Sequence, residues 1–521
     1  AIVNALILLP FVLLFVPAGF VADKYPKQRV MQFSAWFAVG VTLLITFAYY
    51  QGWFWFGFAM TFLLAVQSAM YGPAKYGYIK ELLGEQHLVA GNGMVQAGTM
   101  IAILSATFVF SMMFETLLAA QSIVETQIPE ATVLPVIAPL GWLLVGLSVL
   151  ELMAAYRIPQ KTETNHAMRL NFLDIANGRL ATENLQYVWR HSIIWLTIIG
   201  LAILWSVAQV ILATFPTFAE DHLQLTHTGA VQGILASAGI GIMLGALLVG
   251  RLSKQTIELG LVPIGALGFT ITVFFVSVWQ SVILQAINFL FMGMMASFFI
   301  IPLRALMQYH SDNTNLGRVI ASNNLIQNLT MLSFLVITIL LSMMGMDSLH
   351  FFWLLAVVVL VGAVYTIYKL PQSLIRFVIS RLITSRYRIH VLNFENIPAN
   401  GGVLLLGNHI SWLDWAMVQI ACPRKLHFVI TKVYYNKWYL KRFLDLFGVV
   451  PIGTRASAES LKTVAQLLRD GKAVCLFPEG TISHSGQLNE FKRGYELLAG
   501  QVEQTEKPVQ IIPFYLHGLW G

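Results

Sequence analysis

The sequence predicts an all-α membrane bundle over residues 1–370, followed by a cytosolic α/β domain over residues 389–521. The first observation is composition: 57% of the 521 residues are hydrophobic and 11% are charged, whereas soluble domains contain about 25% charged residues. The second is charge: the residues from Pro371 onward contain 17 Lys and Arg against 10 Asp and Glu, and the rest contain 15 of each. The third is a change near Leu370 from long apolar segments to short ones.

Eleven segments of the first part are apolar enough to cross a bilayer, for which a helix needs about 20 residues. Because the chain begins inside an apolar segment at Ala1, we expect at least one earlier helix and a native set of twelve. The predicted spans are 1–21, 30–50, 53–73, 92–114, 136–156, 192–214, 230–250, 258–278, 281–303, 319–343 and 350–369.

The loops between these spans alternate in charge. One set holds nearly all the Lys and Arg, and the other set, such as 50–52 and 345–348, holds almost none. The positive-inside rule therefore predicts that the basic loops, and the tail after Lys369, face the cytoplasm. The longest basic loop, 157–190, separates two predicted halves, 1–156 and 191–370.

The first basic loop contains a short motif, Gly19–Arg29 (GFVADKYPKQR). Its Gly permits close helix packing, and Asp23 can pair with basic groups or with a helix N-terminus and so latch one conformation. The alternative is an ordinary loop of the positive-inside type. The motif resembles the signature between helices 2 and 3 of the major facilitator superfamily. With the division into halves, this resemblance implies an alternating-access transporter.

Few charged residues lie clearly within the predicted spans, and Lys75 and Arg304, which lie near predicted ends, are the candidates for a transport site. Lys75 follows Tyr71–Ala74, whose Gly-Pro pair predicts a break in the helix, and Arg304 follows Pro302. Both cations could bind a phosphate. The alternative for each is anchoring at the membrane interface.

Residues 371–388 connect the two predicted parts. Their arginines do not gather on one face of a helical wheel, so the segment does not predict a clean amphipathic helix. A helix at the membrane interface, with arginines that reach the headgroups, is one interpretation. A simple connector is the other.

The second part alternates short apolar segments with helical ones, which indicates an α/β domain. In open α/β sheets, functional groups gather beyond the carboxyl ends of the strands, and two polar clusters follow predicted strands. The predicted strands are 402–406, 426–431, 473–477 and 509–515, and the predicted helices include 413–421, 456–470 and 492–498.

The first polar cluster is Asn408–Asp414. A neutral His409 can take a proton from an attacking hydroxyl, and Asp414 can fix its tautomer. The alternative is structural, because Ser411 and Asp414 have the spacing of a helix capping box. In that case His409 is only a turn residue.

The second polar cluster, Phe477–Thr481, predicts by itself only a tight turn. Taken in order, the two clusters resemble the NHxxxxD and FPEGT motifs of the glycerolipid acyltransferase family. Gly448–Arg455, Phe491–Gly494 and Ile512-Pro513 resemble its other blocks. At Ile482 the sequence departs from the many family members that carry Arg there, which leaves the headgroup preference open.

This resemblance implies transfer of an acyl group from a thioester to a glycerolipid hydroxyl, without a covalent enzyme intermediate, a metal or a bound cofactor. It implies that His409 is the general base, that Asp414 orients it, and that Arg455 holds the phosphate. Glu479 and Gly480 would shape the glycerol site. The substrate-binding residues implied are Arg455, Glu479, Gly480, Thr481, Lys492 and Arg493.

The fusion of the two parts resembles the bacterial family of lysophospholipid transporters joined to a 2-acylglycerophosphoethanolamine acyltransferase. The resemblance implies that a lysophospholipid reaches the inner leaflet of the bacterial inner membrane and is re-acylated there at its sn-1 hydroxyl. The implied donor, acyl-carrier protein, is acidic and suits the basic tail. Basic residues interleaved with aromatics are not evident, so a nucleic-acid partner is not expected.

Two alternatives remain open from the sequence. In the first, the tail serves only to regulate a transporter. In the second, the helices serve only to anchor a lysophosphatidic acid acyltransferase. Relatives of the fusion continue into an acyl-activating domain, so a further domain is expected beyond Gly521.

Overall fold

The chain divides into two compact units, Ala1–Lys369 and Leu370–Gly521. Within them, the structure, a computed structural model, describes residues 9–120, 130–160, 172–225, 228–253, 256–393, 396–398, 400–422, 424–453, 458–483, 485, 487–502 and 509–519.

The first unit is a bundle of helices, as predicted. Its described helices are α1 (Phe15–Lys24), α2 (Lys27–Tyr50), α3 (Phe54–Leu83), α4 (Leu88–Ala120), α5 (Glu130–Ile137), α6 (Pro139–Tyr156), α7 (Phe172–Ala176), α8 (Arg179–Arg190), α9 (Ser192–Leu223), α10 (Thr228–Leu252), α11 (Leu261–Val276), α12 (Val282–Tyr309), α13 (Leu316–Met343) and α14 (Ser348–Lys369).

Nine helices within the described ranges are long and apolar enough to cross a membrane. They correspond to nine of the eleven predicted spans. The other two spans correspond to α11, a shorter apolar helix, and to α1, before which residues 1–8 lie outside the described part.

The predicted break before Lys75 is wrong, because α3 continues through Pro73 to Leu83. A proline removes one backbone donor and crowds the preceding turn. Inside a bundle, neighbouring helices and local adjustment compensate for that loss. Pro73 is buried among such neighbours, and α12 continues through Pro302 in the same way. Lys75 and Arg304 therefore project from continuous helices.

The second unit is an α/β domain with a five-stranded parallel sheet in the order β3-β2-β4-β1-β5. Its elements are α15 (Pro371–Arg386), β1 (Val403–Gly407), α16 (Asp414–Ala421), β2 (Leu426–Thr431), α17 (Lys432–Tyr435), α18 (Trp438–Phe447), β3 (Val450–Ile452), α19 (Ala458–Arg469), β4 (Ala473–Leu476), α20 (Gly494–Val502) and β5 (Gln510–Phe514).

Helices cover both faces of this sheet. Leu404 and Val474 pack against α19 and α20 on one face. Val403 and Leu405 pack with Val418 of α16 on the other. The alternation along β1 follows from the two-residue period of a strand.

The connecting helix α15 belongs to the second unit. Ile383 packs with Ala416 and Met417 of α16, and the side-chain amide of Gln372 donates to the carbonyl of Leu446. The helix thus has a packed face against the domain.

Candidate functional site

Two loops of the second unit meet because the strands before them are neighbours. β1 and β4 pair in parallel, with Leu406 opposite Leu476, so their carboxyl ends lie at the same edge of the sheet. Asn408–Asp414 follows β1, and Phe477–Thr481 follows β4. Ser483 N donates to His409 O at 2.7 Å and joins the two loops directly.

His409 and Asp414 form a hydrogen-bonded pair at this edge. His409 Nδ1 lies 2.8 Å from Asp414 Oδ2, and the same oxygen accepts from the backbone N–H groups of Ile410 (2.7 Å) and Ser411 (2.9 Å). Asp414 is fully buried, whereas the His409 side chain is 23% exposed. A carboxylate bound at Nδ1 favours the tautomer in which Nε2 is an acceptor, so His409 can take a proton from a group that reaches it.

The alternative role of Ser411 and Asp414 as a helix capping box is met only in part. Asp414 reaches back to Ser411 N, as a capping box requires, but Ser411 Oγ accepts from Leu413 N (3.2 Å) instead of capping α16. One carboxylate oxygen therefore both orders the loop and binds the histidine.

Glu479 holds the loop Asn408–Asp414 from the other side. It is buried, Oε1 accepts from His409 N at 2.9 Å, and Oε2 accepts from Asn489 N at 3.0 Å. Both carboxylate oxygens are thus committed to backbone groups. The structure gives this side chain a positioning role that the sequence motif alone did not indicate.

Two further residues of the site, Phe477 and Asn408, carried no predicted role. The ring of Phe477 stacks on His409 at 4.5 Å between centroids and 16° between planes. Asn408 exchanges two hydrogen bonds with the backbone of Leu516, beyond β5. The signal that could have identified Phe477 is its place at the end of β4, the strand next to β1.

Gly480 is needed for its conformation and for close approach. Its φ is +66°, which favours glycine, and a Cβ there would lie 2.7 Å from Lys492 Nζ. Lys492 N donates to Pro478 O at 3.0 Å. The ammonium group of Lys492 therefore lies over the turn that follows β4.

Of the other residues predicted to bind substrate, Thr481 and Arg493 are exposed. Arg455 lies outside the described residues. Within the described ranges, no group of three or more His, Cys, Asp or Glu is placed to hold a metal ion.

Replacing Glu479 with Gln tests its positioning role. The amide offers one acceptor and places a donor against a backbone N–H, so we expect acyl transfer to fall by about 10–100-fold and the melting temperature to drop by a few degrees. Glu490→Gln, at an exposed neighbour, is the control. Wild-type activity in Glu479→Gln would show that these two hydrogen bonds do not position His409.

In the first unit, Lys75 and Arg304 both lie close to the ring of one tyrosine, Tyr76. The Arg304 guanidinium lies 4.5 Å from the ring centroid of Tyr76 and donates to Gln96 Oε1 at 3.2 Å. Lys75 Nζ lies 5.4 Å from the same centroid and 3.4 Å from Thr99 Oγ1. Helix α12 of the second half thus meets α3 and α4 of the first half in a polar layer.

Asp23 connects the halves on the side predicted to be cytoplasmic. Oδ1 accepts from Gly317 N at 2.6 Å and Oδ2 from Arg318 N at 3.0 Å, at the N-terminus of α13. The Arg318 side chain is 3.9 Å away. Gly19 permits this contact, since a Cβ there would lie 2.9 Å from Arg318 Cα.

Lys80 makes a second connection on this side. Its ammonium group donates to the carbonyls of Gln308 (3.1 Å) and Ser311 (2.9 Å), at the C-terminal end of α12. Cations stabilise this end of a helix. No role was predicted for Lys80, although a lysine near the end of an apolar helix is a signal that the sequence contains.

Asp23→Ala should loosen this side of the bundle. Two backbone N–H groups would lose a charged acceptor. We therefore expect the conformation in which Asp23 joins the two halves to be destabilised by about 2 kcal/mol. A cysteine introduced as Ser322→Cys, at a fully buried position of α13, serves as the probe. The measurement is the rate at which a water-soluble maleimide labels it. Faster labelling is expected with Asp23→Ala and not with Asp221→Ala, an exposed control. Equal labelling in both would contradict a latch.

Two family models match the chain. The model of the Major Facilitator Superfamily matches residues 1–334, well over half of the chain. The Acyltransferase model matches residues 388–517. The two matches lie one in each compact unit.

The first unit is similar to curated bacterial proteins. A lysophospholipid transporter LplT of Photorhabdus laumondii is 26% identical over 335 residues, which are 64% of this chain and 76% of that protein. A lysophospholipid transporter LplT of Escherichia coli is 28% identical over 337 residues, covering 64% and 77%.

Solved transporters share the fold of the first unit. The fucose:proton symporter FucP of Escherichia coli aligns with a TM-score of 0.54 and 12% identity over 70% of this chain and 90% of the symporter. The human organic anion transporter MFSD10 gives 0.54 and 13% over 70% and 82%. At this identity the likeness concerns the fold alone.

Proposed function

Because this chain belongs to the major facilitator superfamily and carries an acyltransferase domain, we propose that it moves a lysophospholipid across the inner membrane and re-acylates it. The observation that carries the proposal is the presence of both parts in one chain, since a shared substrate explains the fusion. Similarity to proteins named lysophospholipid transporters supports the lipid class. Lysophosphatidylethanolamine is the proposed substrate and its sn-1 hydroxyl the proposed acceptor.

The acyl-transfer step follows from the His409–Asp414 pair. The lysolipid hydroxyl attacks the thioester carbonyl carbon while His409 Nε2 takes the hydroxyl proton. Asp414 Oδ2, 2.8 Å from Nδ1, stabilises the imidazolium that forms. The tetrahedral intermediate then expels the thiolate, and His409 returns the proton to it, which leaves an ester and a free thiol.

The proposed donor is acyl-carrier protein, and no bound cofactor is required. Its acidic surface complements the net charge of +7 carried by the residues from Pro371 onward. The predicted orientation places this domain on the cytoplasmic side, where that donor is made.

The polar layer is the proposed phosphate site of the transporter. Arg304 and Lys75 offer two positive charges next to the ring of Tyr76. Among the residues that the structure describes, no carboxylate lies within ion-pair distance of either cation. A lipid phosphate between the halves would complement both charges.

Arg304→Gln tests this site. We expect uptake of lysolipid into proteoliposomes to fall at least about tenfold, because one charged contact to a phosphate contributes roughly 1.5–3 kcal/mol. Acylation of lysolipid dissolved in detergent should be unchanged. Arg251→Gln, at an exposed arginine near the end of α10, is the control. Unchanged uptake by Arg304→Gln would remove Arg304 from the transport site.

The whole proposal is tested by measuring lysolipid uptake and acylated product in the same proteoliposomes supplied with acyl-carrier-protein thioester. Uptake together with product supports it. Transport without acylation would favour a regulatory tail. Preference for lysophosphatidic acid without transport would favour an anchored acyltransferase.

A further inference from the structure

Five exposed side chains form a continuous surface on the acyltransferase domain: Trp412, Tyr434, Lys437, Trp438 and Tyr439, here called the aromatic patch. The rings of Trp412 and Tyr434 are 5.3 Å apart, and those of Trp438 and Tyr439 are 5.8 Å apart. Lys437 Nζ lies between them, 5.0 Å from the Tyr434 centroid and 5.9 Å from that of Tyr439. The patch is thus one connected surface drawn from three segments of the chain.

The patch is not the domain's own core. Trp438 is 86% exposed, Trp412 62% and Tyr439 57%. The packed side of α18 is elsewhere, where Phe443 and Phe447 contact the ring of Trp415. Large aromatic rings that remain exposed although the core is complete mark an interaction surface.

The charge of this surface favours an anionic occupant. Residues 432–444 contain four cations and no Asp or Glu. Exposed Trp and Tyr together with Lys and Arg are the residue types that settle at the interface of an anionic bilayer. An acidic protein would pair with the positive charges, but it would not offer the exposed rings the bilayer interface that Trp and Tyr prefer. The four cations are Lys432, Lys437, Lys441 and Arg442.

The patch is continuous with the candidate active site. Trp412 belongs to the loop that carries His409 and Asp414 and stands two residues before Asp414. The second unit also follows directly in sequence after the membrane helix α14, which ends at Lys369.

We propose that the aromatic patch inserts into the anionic surface of the membrane and presents the His409 loop to lipid in that leaflet. This inference rests on the proposed function, because it supplies the route by which a membrane lipid reaches the acyl-transfer site. The acceptor lipid then does not have to leave the bilayer.

The direct test is the depth of a fluorescent label in the full chain, reconstituted in vesicles of phosphatidylethanolamine and phosphatidylglycerol. The label is attached through Trp438→Cys or, as a control, Lys462→Cys on α19, at the opposite face of the sheet. The native Cys422 and Cys475 are buried, and burial raises the pKa of both thiols, so they do not compete. We expect brominated lipid to quench the label at position 438 and iodide to quench the one at 462. Iodide quenching at both positions overturns the proposal.

The kinetic test uses Trp438→Ala combined with Tyr439→Ala, with Leu497→Ala of α20 as an exposed apolar control. We expect acylation of lysolipid in vesicles to fall by about five- to tenfold and acylation of a short-chain, monomeric lysolipid to stay unchanged. A raised KM for acyl-carrier-protein thioester with both acceptors would assign the patch to the carrier protein and overturn membrane insertion. The label reports insertion without any acylation, so failure of the proposed activity remains distinguishable from failure of the patch.

Discussion

His409→Ala should reduce acyl transfer by about 10²–10⁴-fold, the usual contribution of a positioned general base. The His409 ring is bound to a buried carboxylate and is itself 23% exposed, so it is open to an incoming hydroxyl. Alanine leaves the loop's backbone bonds to Asp414 and Glu479 in place, so the domain should stay folded. The measurement is the initial rate of product formation from detergent-dissolved lysolipid.

The same variant separates the two proposed activities. Lysolipid uptake should be unchanged, because no residue of the polar layer is altered. His390→Ala, at an exposed histidine outside the site, is the matched control and should retain both activities. If His409→Ala acylates at the wild-type rate, the assignment of the general base is wrong.

Asp414→Asn should reduce acyl transfer about as strongly, by roughly 10²–10⁴-fold. Asp414 Oδ2 alone accepts from His409 Nδ1 and from two backbone N–H groups, so an amide oxygen in its place could accept the same bonds but would carry no negative charge. If that oxygen keeps the backbone bonds, the histidine loses the charge that stabilises its protonated form. If the amide turns, its NH₂ group selects the wrong tautomer.

The signature of this role is a fall in kcat with little change in the KM for lipid. A purely structural role would instead lower the melting temperature and the fraction of folded protein. Asp470→Asn, an exposed carboxylate at the end of α19, is the control for the substitution itself. A stable Asp414→Asn protein with wild-type kcat would contradict the proposed pair.

Much of the fold was predictable because its signals are local. Membrane helices are recognised by composition over about 20 residues, and the structure confirms the bundle followed by the α/β domain. The four predicted strands are present. The strand Val450–Ile452 and the helices Lys432–Tyr435 and Trp438–Phe447 were missed, because short elements are defined by their neighbours more than by their own sequence.

The break predicted at Tyr71–Ala74 was wrong for a related reason. Gly and Pro lower the local stability of a helix, but a neighbouring helix can stabilise it again. Whether that happens depends on packing, which a single segment of sequence does not contain. The same applies to Asn489, whose backbone N–H binds Glu479 from ten residues away.

The sequence by itself determined which residues can do chemistry here: His409 and Asp414 are close in the chain, and the charges of Lys75 and Arg304 stand out in apolar segments. Only the tertiary structure decided how they are arranged. The order β4-β1-β5 brings Phe477 and Glu479 to His409, and the meeting of α3 with α12 brings Arg304 to the ring of Tyr76, close to Lys75. Contacts between residues far apart in the chain depend on which elements become neighbours, and burial of the whole apolar surface fixes that choice.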